Sequence, residues 1–253
     1  MPSLEPLREA GIVGDDTRAV FLSGSLVEGW GHPNSDLDLY VFGERARPSS
    51  VTGVRLLPLP TPEVDLVVHY EGDVRWDVEC WRVAQVDELL GKVATADDPR
   101  AATSLALSYR ETEILYRLSI GEPILGAAWL DAVKERIARS RLARFLAATA
   151  FNAADNLIED TVGTLAAGDD ASAVLAAQKA FGLTIDGLLY SKGHLCPNQK
   201  WRARKLADVA PAEISWEEYW AIETYAGYSR NGAAEWVEQV LRWCERIMAE
   251  VDL

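Results

Sequence analysis

Two aspartates in an apolar strand pattern constrain this chain more than any other feature. In the run Asp36-Leu37-Asp38-Leu39, the two-residue period of a strand places both aspartates on one face and points both leucines into the core. The two carboxylates are then roughly 6.5 to 7 Å apart along the backbone. Mg²⁺ prefers oxygen ligands and is usually held by one or two carboxylates together with phosphate oxygens. The pattern therefore predicts a strand that carries a magnesium site.

A glycine–serine turn precedes this strand. Residues 19–22 are apolar and typical of a buried strand, and Gly24-Ser25 ends that run in a turn. Backbone N–H groups in such a turn can face an anion, and the tail of a nucleoside triphosphate fits it. The plainer alternative is that Asp36 is a turn residue and Asp38 an exposed strand position. The order of buried strand, glycine turn and apolar strand favours the phosphate and metal site.

Together, Gly24-Ser25, Gly29 and Ser35-Asp36-x-Asp38 resemble the signature of the nucleotidyltransferase superfamily that includes DNA polymerase beta. The small bacterial members are the most similar, namely the aminoglycoside, lincosamide and minimal nucleotidyltransferases. The resemblance implies an α+β fold with an N-terminal catalytic domain, in which a small mixed β-sheet is flanked by helices, and an all-α C-terminal bundle. It also implies that Gly24, Ser25 and Ser35 bind the nucleotide, and that Asp36 and Asp38 are catalytic metal ligands.

Such enzymes carry a third carboxylate on a neighbouring strand. Residues 63–70 and 74–81 are two β-rich runs around Glu71-Gly72-Asp73, which predicts a hairpin. Asp65, Asp77 and Glu79 each alternate with apolar residues in these runs. The resemblance favours Asp77 as the third catalytic and metal-binding carboxylate, while Glu79 and Asp65 remain open alternatives.

Beyond the hairpin, the hydrophobic period changes from two to about 3.6. It predicts a helix at 86–93, a loop at 95–99 and a helix that Pro99 opens and that continues through Leu105 to Leu118. We place the domain boundary near residue 125, with the catalytic domain at 1–125 and the helical bundle, which would bind substrate, at 126–253. Further helices are predicted at 129–158, at 171–190 and from 233, the last with a core stripe of Trp236, Val240, Trp243 and Ile247.

A basic segment follows the helix predicted at 171–190. Lys200, together with Arg202 or Lys205, is a candidate to bind the triphosphate and stabilise the departing pyrophosphate. A solvated, basic start of a helix is the alternative interpretation.

Charge and hydropathy limit the kinds of partner that the protein is expected to bind. The net charge of −14 opposes binding to nucleic acid, because such binding depends on Lys and Arg meeting phosphates. No apolar run approaches the length of a membrane span, and the N-terminus has no signal-peptide pattern, so we expect a cytoplasmic protein that does not bind membranes. The three cysteines are widely spaced and are expected to be reduced. A homodimer is left open.

The expected activity is Mg²⁺-dependent transfer of a nucleoside monophosphate, AMP from ATP, to a hydroxyl of a small molecule with release of pyrophosphate. The resemblance implies a polyhydroxylated, neutral or cationic acceptor, such as an aminoglycoside-like antibiotic or a biosynthetic intermediate. Two alternatives remain: the same chemistry on a protein or a tRNA, and a nucleotide-binding regulatory module without turnover.

Overall fold

The computed structural model describes residues 3–32, 35–44, 48, 50–94 and 107–253. The chain divides into two compact units, Met1–Arg141 and Leu142–Leu253. In its described part, the first unit is built on one sheet and the second consists of helices. The predicted α+β class is confirmed.

Six strands form the sheet in the described part of the first unit, in the order β3-β4-β5-β2-β1-β6. Every neighbouring pair is antiparallel except β2 and β5, which are parallel, so the sheet is mixed as predicted. The predicted hairpin is the pair β4 and β5. The strands are β1 Thr17–Ser23, β2 Leu37–Gly43, β3 Gly53–Leu56, β4 Glu63–Glu71, β5 Val74–Arg82 and β6 Glu122–Leu125.

The two faces of the sheet pack against different cores. On one face, Leu39, Val41 and Val78 pack with Leu7 and Ile12 from the N-terminal segment that contains helix α1, Glu5–Glu9. On the other face, aromatic rings stack across neighbouring strands. Phe42 lies 5.8 Å from Phe21, 6.1 Å from Trp81 and 5.0 Å from Trp129, measured between ring centroids.

Helices α2, Val83–Ala94, and α3, Tyr109–Ile120, follow the strand β5 in the chain. A capping box starts α3: the Ser108 hydroxyl accepts from the Glu111 N–H, and the Glu111 carboxylate accepts from the Ser108 N–H. The predicted loop at 95–99, the helix start at Pro99 and Leu105 lie outside the described residues.

The division between the units comes later than the predicted boundary near residue 125. The segment after α3 forms β6, which pairs with β1, and then α4, Ala127–Arg139, which packs against α3, β1 and β6. Leu130 and Val133 of α4 are buried. The sheet unit therefore includes this helix and ends at Arg141.

The second unit contains α5 Leu142–Ala166, α6 Asp170–Ser191, α7 Arg202–Val209, α8 Trp216–Glu223 and α9 Ala233–Glu250. Helix α6 packs against α5 and α9. The predicted helix at 129–158 is in fact two helices, which Ser140 and Arg141 separate. The predictions for 171–190 and from 233 are confirmed to within a residue, and Trp236, Val240 and Ile247 are buried with Trp243 beside them.

No helix in the ranges that the structure describes is both long enough and apolar enough to cross a bilayer.

Candidate active site

The parallel pairing of β2 and β5 brings two of the predicted site carboxylates together. Asp38 lies directly opposite Asp77, and Tyr40 lies opposite Glu79. Residues opposite each other on neighbouring strands point to the same face of a sheet. Asp36 precedes β2 by one residue and is exposed, and Arg75 interacts electrostatically with both Asp36 and Asp77. All three predicted metal-binding carboxylates therefore lie at one end of β2 and β5.

The candidates for the third carboxylate have different surroundings. Asp65 pairs with Cys80, so it points to the opposite face from Asp77 and cannot belong to this site. Glu79 is bound on both oxygens: Arg55 Nη1 lies 2.5 Å from Oε1, and the Trp81 indole donates to Oε2 at 3.1 Å. Asp77 is more accessible, with a side chain 36% exposed. The geometry favours Asp77 over Glu79, and its catalytic role stays a prediction.

Gly24 has no space for a side chain. Its φ is +86°, which is in the left-handed region, and a Cβ there would lie 2.1 Å from Asp38 Oδ2 and 2.2 Å from Arg117 Nη1. The turn after it is closed by backbone bonds, from Glu28 N–H to the Gly24 carbonyl at 3.2 Å and from Trp30 N–H to the Ser25 carbonyl at 2.7 Å. The predicted phosphate-binding turn therefore lies in contact with the predicted metal-binding carboxylate.

Ser35 has a structural role in the turn before β2. Its hydroxyl accepts from the His32 N–H at 2.9 Å, and its own N–H donates to the His32 carbonyl at 2.8 Å. These bonds fix the chain just before Asp36. The nucleotide contacts predicted for Ser35 and Ser25 stay predictions.

Arg117 of α3 is a site residue that the sequence analysis missed. Its Nη1 donates to Asp38 Oδ2 at 3.1 Å, and its Nη2 lies 3.6 Å from Glu113 Oε1. Its backbone carbonyl accepts from the Ser23 hydroxyl at 3.0 Å, which ties α3 to the end of β1. The side chain is 15% exposed. A guanidinium therefore lies beside the predicted metal-binding carboxylate of Asp38.

The sequence contains a signal for this cluster. Arg110, Glu113 and Arg117 are three and four residues apart, a spacing that places all three on one helix face. Arg110 Nη1 donates to Glu113 Oε2 at 2.6 Å. Ile114, Leu115 and Leu118 mark the buried face of the same helix, so the spacing indicates a charged stripe on α3 but not its contact with Asp38.

Electrostatics distinguish Asp38 from its neighbours. Burial raises the pKa of Asp38, the Arg117 guanidinium opposes that rise, and the nearby Asp77 and Glu79 carboxylates add to it. Burial also raises the pKa of Tyr40 well above its ordinary value, and the carboxylate of Glu79 adds to that shift. A cation beside Asp38 would therefore stabilise its charged form.

These groups line a cavity of about 350 Å³ over β3, β4, β5 and α3. The charged groups on its wall are balanced, with four carboxylates and four guanidiniums. They are Asp38, Asp77, Glu79, Glu113, Arg55, Arg75, Arg110 and Arg117.

The donor set has the chemistry of a Mg²⁺ site. Asp36, Asp38 and Asp77 offer only carboxylate oxygens, which this ion prefers. As the side chains stand, no three His, Cys, Asp or Glu groups among the described residues converge on one metal position. Asp38 is directed to Arg117, and Asp77 accepts from Arg75 Nε at 2.8 Å. A metal ion would take the place of these guanidiniums, and the residues fit it in type and in position on the sheet.

The second unit contains the predicted cations. Lys200 lies in a short 3-10 helix, with Nζ 4.8 Å from the centre of the Trp201 ring, and its contact with the triphosphate stays a prediction. Arg202, predicted to assist Lys200, is wrong as a phosphate ligand, because its side chain is buried. Arg202 Nε and Nη2 donate to the two oxygens of Asp186 at 2.7 and 3.0 Å. Lys205, the other cation predicted to assist Lys200, is also buried.

Comparisons with known proteins extend the argument from the fold. No protein-family model matches the chain, and no curated protein matches it by sequence. Among solved structures, a nucleotidyltransferase-like protein from Exiguobacterium sibiricum 255-15 is similar at a TM-score of 0.51 and 13% identity, covering 96% of this chain and 72% of that one. The chain has a nucleotidyltransferase fold.

Spectinomycin adenyltransferase AAD(9) from Enterococcus faecialis, solved with ATP and spectinomycin, also matches. The match covers 96% of each chain at 16% identity, with a TM-score of 0.36.

Proposed function

We propose that this protein is a Mg²⁺-dependent nucleotidyltransferase that moves AMP from ATP to a hydroxyl of a small molecule and releases pyrophosphate. The observation that carries the proposal is the parallel pairing of Asp38 with Asp77 in contact with the Gly24 turn. A phosphate-binding turn and three carboxylates at one end of two neighbouring strands suit nucleotidyl transfer.

Each group has a distinct task in this mechanism. The N–H groups of the Gly24-Ser25 turn would bind phosphate oxygens, and Asp36 and Asp38 would hold the metal ion. The bound ion would supply charge neutralisation and polarise the phosphorus under attack. Asp77 accepts the proton of the attacking hydroxyl or completes the metal shell, while the hydroxyl displaces pyrophosphate in line. Lys200 is proposed to stabilise the departing pyrophosphate.

The cavity supports a small acceptor. Its volume of about 350 Å³ suits a small polyhydroxylated molecule, and the wall has equal numbers of carboxylates and guanidiniums. The overall charge of −14 disfavours a nucleic acid as the acceptor. We therefore propose a neutral or cationic small molecule, either an antibiotic or a biosynthetic intermediate.

The test is pyrophosphate release with Mg²⁺ and each of the four ribonucleoside triphosphates, against a panel of aminoglycosides, lincosamides and other polyhydroxylated metabolites. Mass spectrometry of the acceptors and of the protein identifies the product. An acceptor that gains one nucleoside monophosphate is the expected result. Nucleotide binding without any product across a broad panel would contradict the proposal and favour a regulatory module.

The Asp38→Asn variant tests the mechanism. We expect activity to fall at least about a hundredfold, the scale of removing one charge-stabilising group from an active site. The control is Asp87→Asn on α2, where an exposed carboxylate pairs with Arg136 at 2.8 Å. It makes the same change in charge away from the site and should leave turnover unchanged. Turnover like that of the wild type in Asp38→Asn would refute the mechanism.

A second pair of variants identifies the third carboxylate. Asp77→Asn should reduce turnover as strongly as Asp38→Asn, while Asp65→Asn, on the opposite face of the sheet, should retain turnover in whatever fraction is folded. Activity per folded molecule is the quantity to compare, with the folded fraction measured by circular dichroism. If Asp65→Asn is the inactive variant, the assignment of Asp77 fails.

A further inference from the structure

The Arg117 guanidinium lies where the phosphate-binding turn meets the metal-binding strand. A Cβ built on Gly24 would lie 2.2 Å from Arg117 Nη1 and 2.1 Å from Asp38 Oδ2, so both groups are in contact with the turn. The hydrogen bond from Nη1 to Asp38 joins them at 3.1 Å. A phosphate oxygen bound by this turn would therefore lie next to the guanidinium.

The backbone of Arg117 is held independently of its side chain. The bond from the Ser23 hydroxyl to the Arg117 carbonyl fixes this point of α3 against the end of β1. The side chain has two acidic partners, Asp38 through Nη1 and Glu113 through Nη2. The side chain can therefore rotate so that Nη1 leaves Asp38 for another acceptor while Nη2 stays near Glu113.

The hydrogen-bonding capacity of this guanidinium is not filled by the residues that the structure describes. Its Nε is buried and has no acceptor among them. A guanidinium offers five N–H donors in a planar fork that matches phosphate geometry. A triphosphate oxygen would give Arg117 a stronger set of charge-assisted bonds than its single bond to Asp38.

Arg117 and a metal ion cannot both bind the same oxygen of Asp38. The carboxylate oxygen Oδ2 that accepts from Arg117 is also one that a metal ion would need. Without a metal, the guanidinium neutralises a carboxylate that lies near Asp77 and Glu79. With a metal bound to Asp38, the guanidinium becomes available to an anion.

We propose that Arg117 binds the triphosphate of the nucleotide, and that it neutralises Asp38 until the metal ion and the nucleotide arrive together. This inference rests on the proposed function. In the resting protein Arg117 competes with the metal for Asp38; in the loaded protein it binds phosphate. The exchange makes metal binding and nucleotide binding favour each other, because each frees the partner that the other needs.

The proposal predicts opposite changes in two affinities when Arg117 is replaced by glutamine. Affinity for Mn²⁺ alone, measured from the free-ion signal in electron paramagnetic resonance, should rise about tenfold, because the competing cation is gone. Affinity for the α,β-methylene analogue of ATP at saturating Mg²⁺, measured by calorimetry, should fall roughly 10- to 100-fold with the loss of a charged phosphate contact. A purely structural role would lower both affinities.

Further variants serve as comparisons. Arg117→Lys keeps a cation at this position and should retain most of the nucleotide affinity. Arg117→Met, which also removes the charge, serves as the test if Arg117→Gln fails to fold. Arg136→Gln removes one positive charge from the exposed α4 surface of the same unit, and both affinities should stay at the wild-type values. Thermal unfolding is recorded for every variant.

The outcomes separate this inference from the proposed function. If the wild type binds neither Mn²⁺ nor the analogue, the proposed function fails and this inference fails with it. If the wild type binds both, then Mn²⁺ affinity that is unchanged or lower in Arg117→Gln overturns the competition with the metal. Unchanged affinity for the analogue in Arg117→Gln overturns the phosphate contact. Neither result would contradict nucleotidyl transfer itself.

Discussion

Replacing Gly24 with alanine should destabilise the first unit and disrupt the site at once. The left-handed φ of +86° costs an alanine about 1 to 2 kcal/mol. The new Cβ would also lie 2.1 Å from Asp38 Oδ2 and 2.2 Å from Arg117 Nη1, so the ion pair must separate. A hydrogen bond between charged groups contributes about 1.5 to 3 kcal/mol. The total loss in the free energy of unfolding is therefore about 2.5 to 5 kcal/mol.

Gly29→Ala provides the matched control in the same turn. The φ of Gly29 is +72°, and a Cβ there meets nothing within 4 Å. Gly29→Ala should therefore lose only the about 1 to 2 kcal/mol of stability that the left-handed backbone costs an alanine. Urea unfolding followed by tryptophan fluorescence measures both variants. The difference between them, about 2 kcal/mol, isolates the contact with Asp38 and Arg117. If Gly24→Ala is no less stable than Gly29→Ala, the close packing around Gly24 does not contribute as argued here.

Three further predictions concern a buried ion pair, an exposed lysine and two buried cysteines. Arg202→Ala leaves the buried Asp186 carboxylate without its bidentate partner and should cost about 3 to 5 kcal/mol of stability, which urea unfolding measures. Lys200→Ala should change stability very little but raise the KM for the nucleotide, which steady-state kinetics measures. Burial raises the pKa of Cys80 to about 12 and that of Cys244 to about 11, from an ordinary value of 9.0. The folded state therefore holds these protons more tightly, and stability is full below about pH 9 and falls as the pH rises toward 11 to 12. Replacing either cysteine with alanine should reduce that loss of stability by up to about 1.4 kcal/mol per pH unit. Urea unfolding at pH 8 and at pH 10.5 measures the loss, and an equal loss in the variant and in the wild type would contradict the prediction.

The sequence predicted the parts of the site that follow from local periodicity. The alternation around Asp36 and Asp38 predicted their shared face, and the glycine turn and the hairpin were predicted from turn chemistry. The parallel pairing of β2 with β5 was not predictable in this way, because the strands are separated in the chain by a loop, a third strand and a hairpin. The resemblance, not the periodicity, favoured Asp77.

The position of the hairpin turn could have excluded Asp65 as the third carboxylate. Once the hairpin turn lies at Gly72-Asp73, the register pairs Val68 with Asp77 and therefore places Asp65 on the other face. The strand register alone therefore excludes Asp65 from the face that carries Asp77. Arg117 was missed for a different reason: its approach to Asp38 depends on how α3 packs against the sheet, which the sequence of the helix does not reveal.

The pairing of β2 with β5 makes the site sensitive to insertions and deletions. Because Asp77 shares its face with Asp38 only through register, one residue inserted between Val74 and Asp77 would turn the carboxylate toward the core around Leu39 and Val67. A buried, unpaired carboxylate there would cost stability as well as the site. Changes of length during divergence are therefore expected in the connection between β2 and β3, while the distance from the hairpin turn to Asp77 should stay constant.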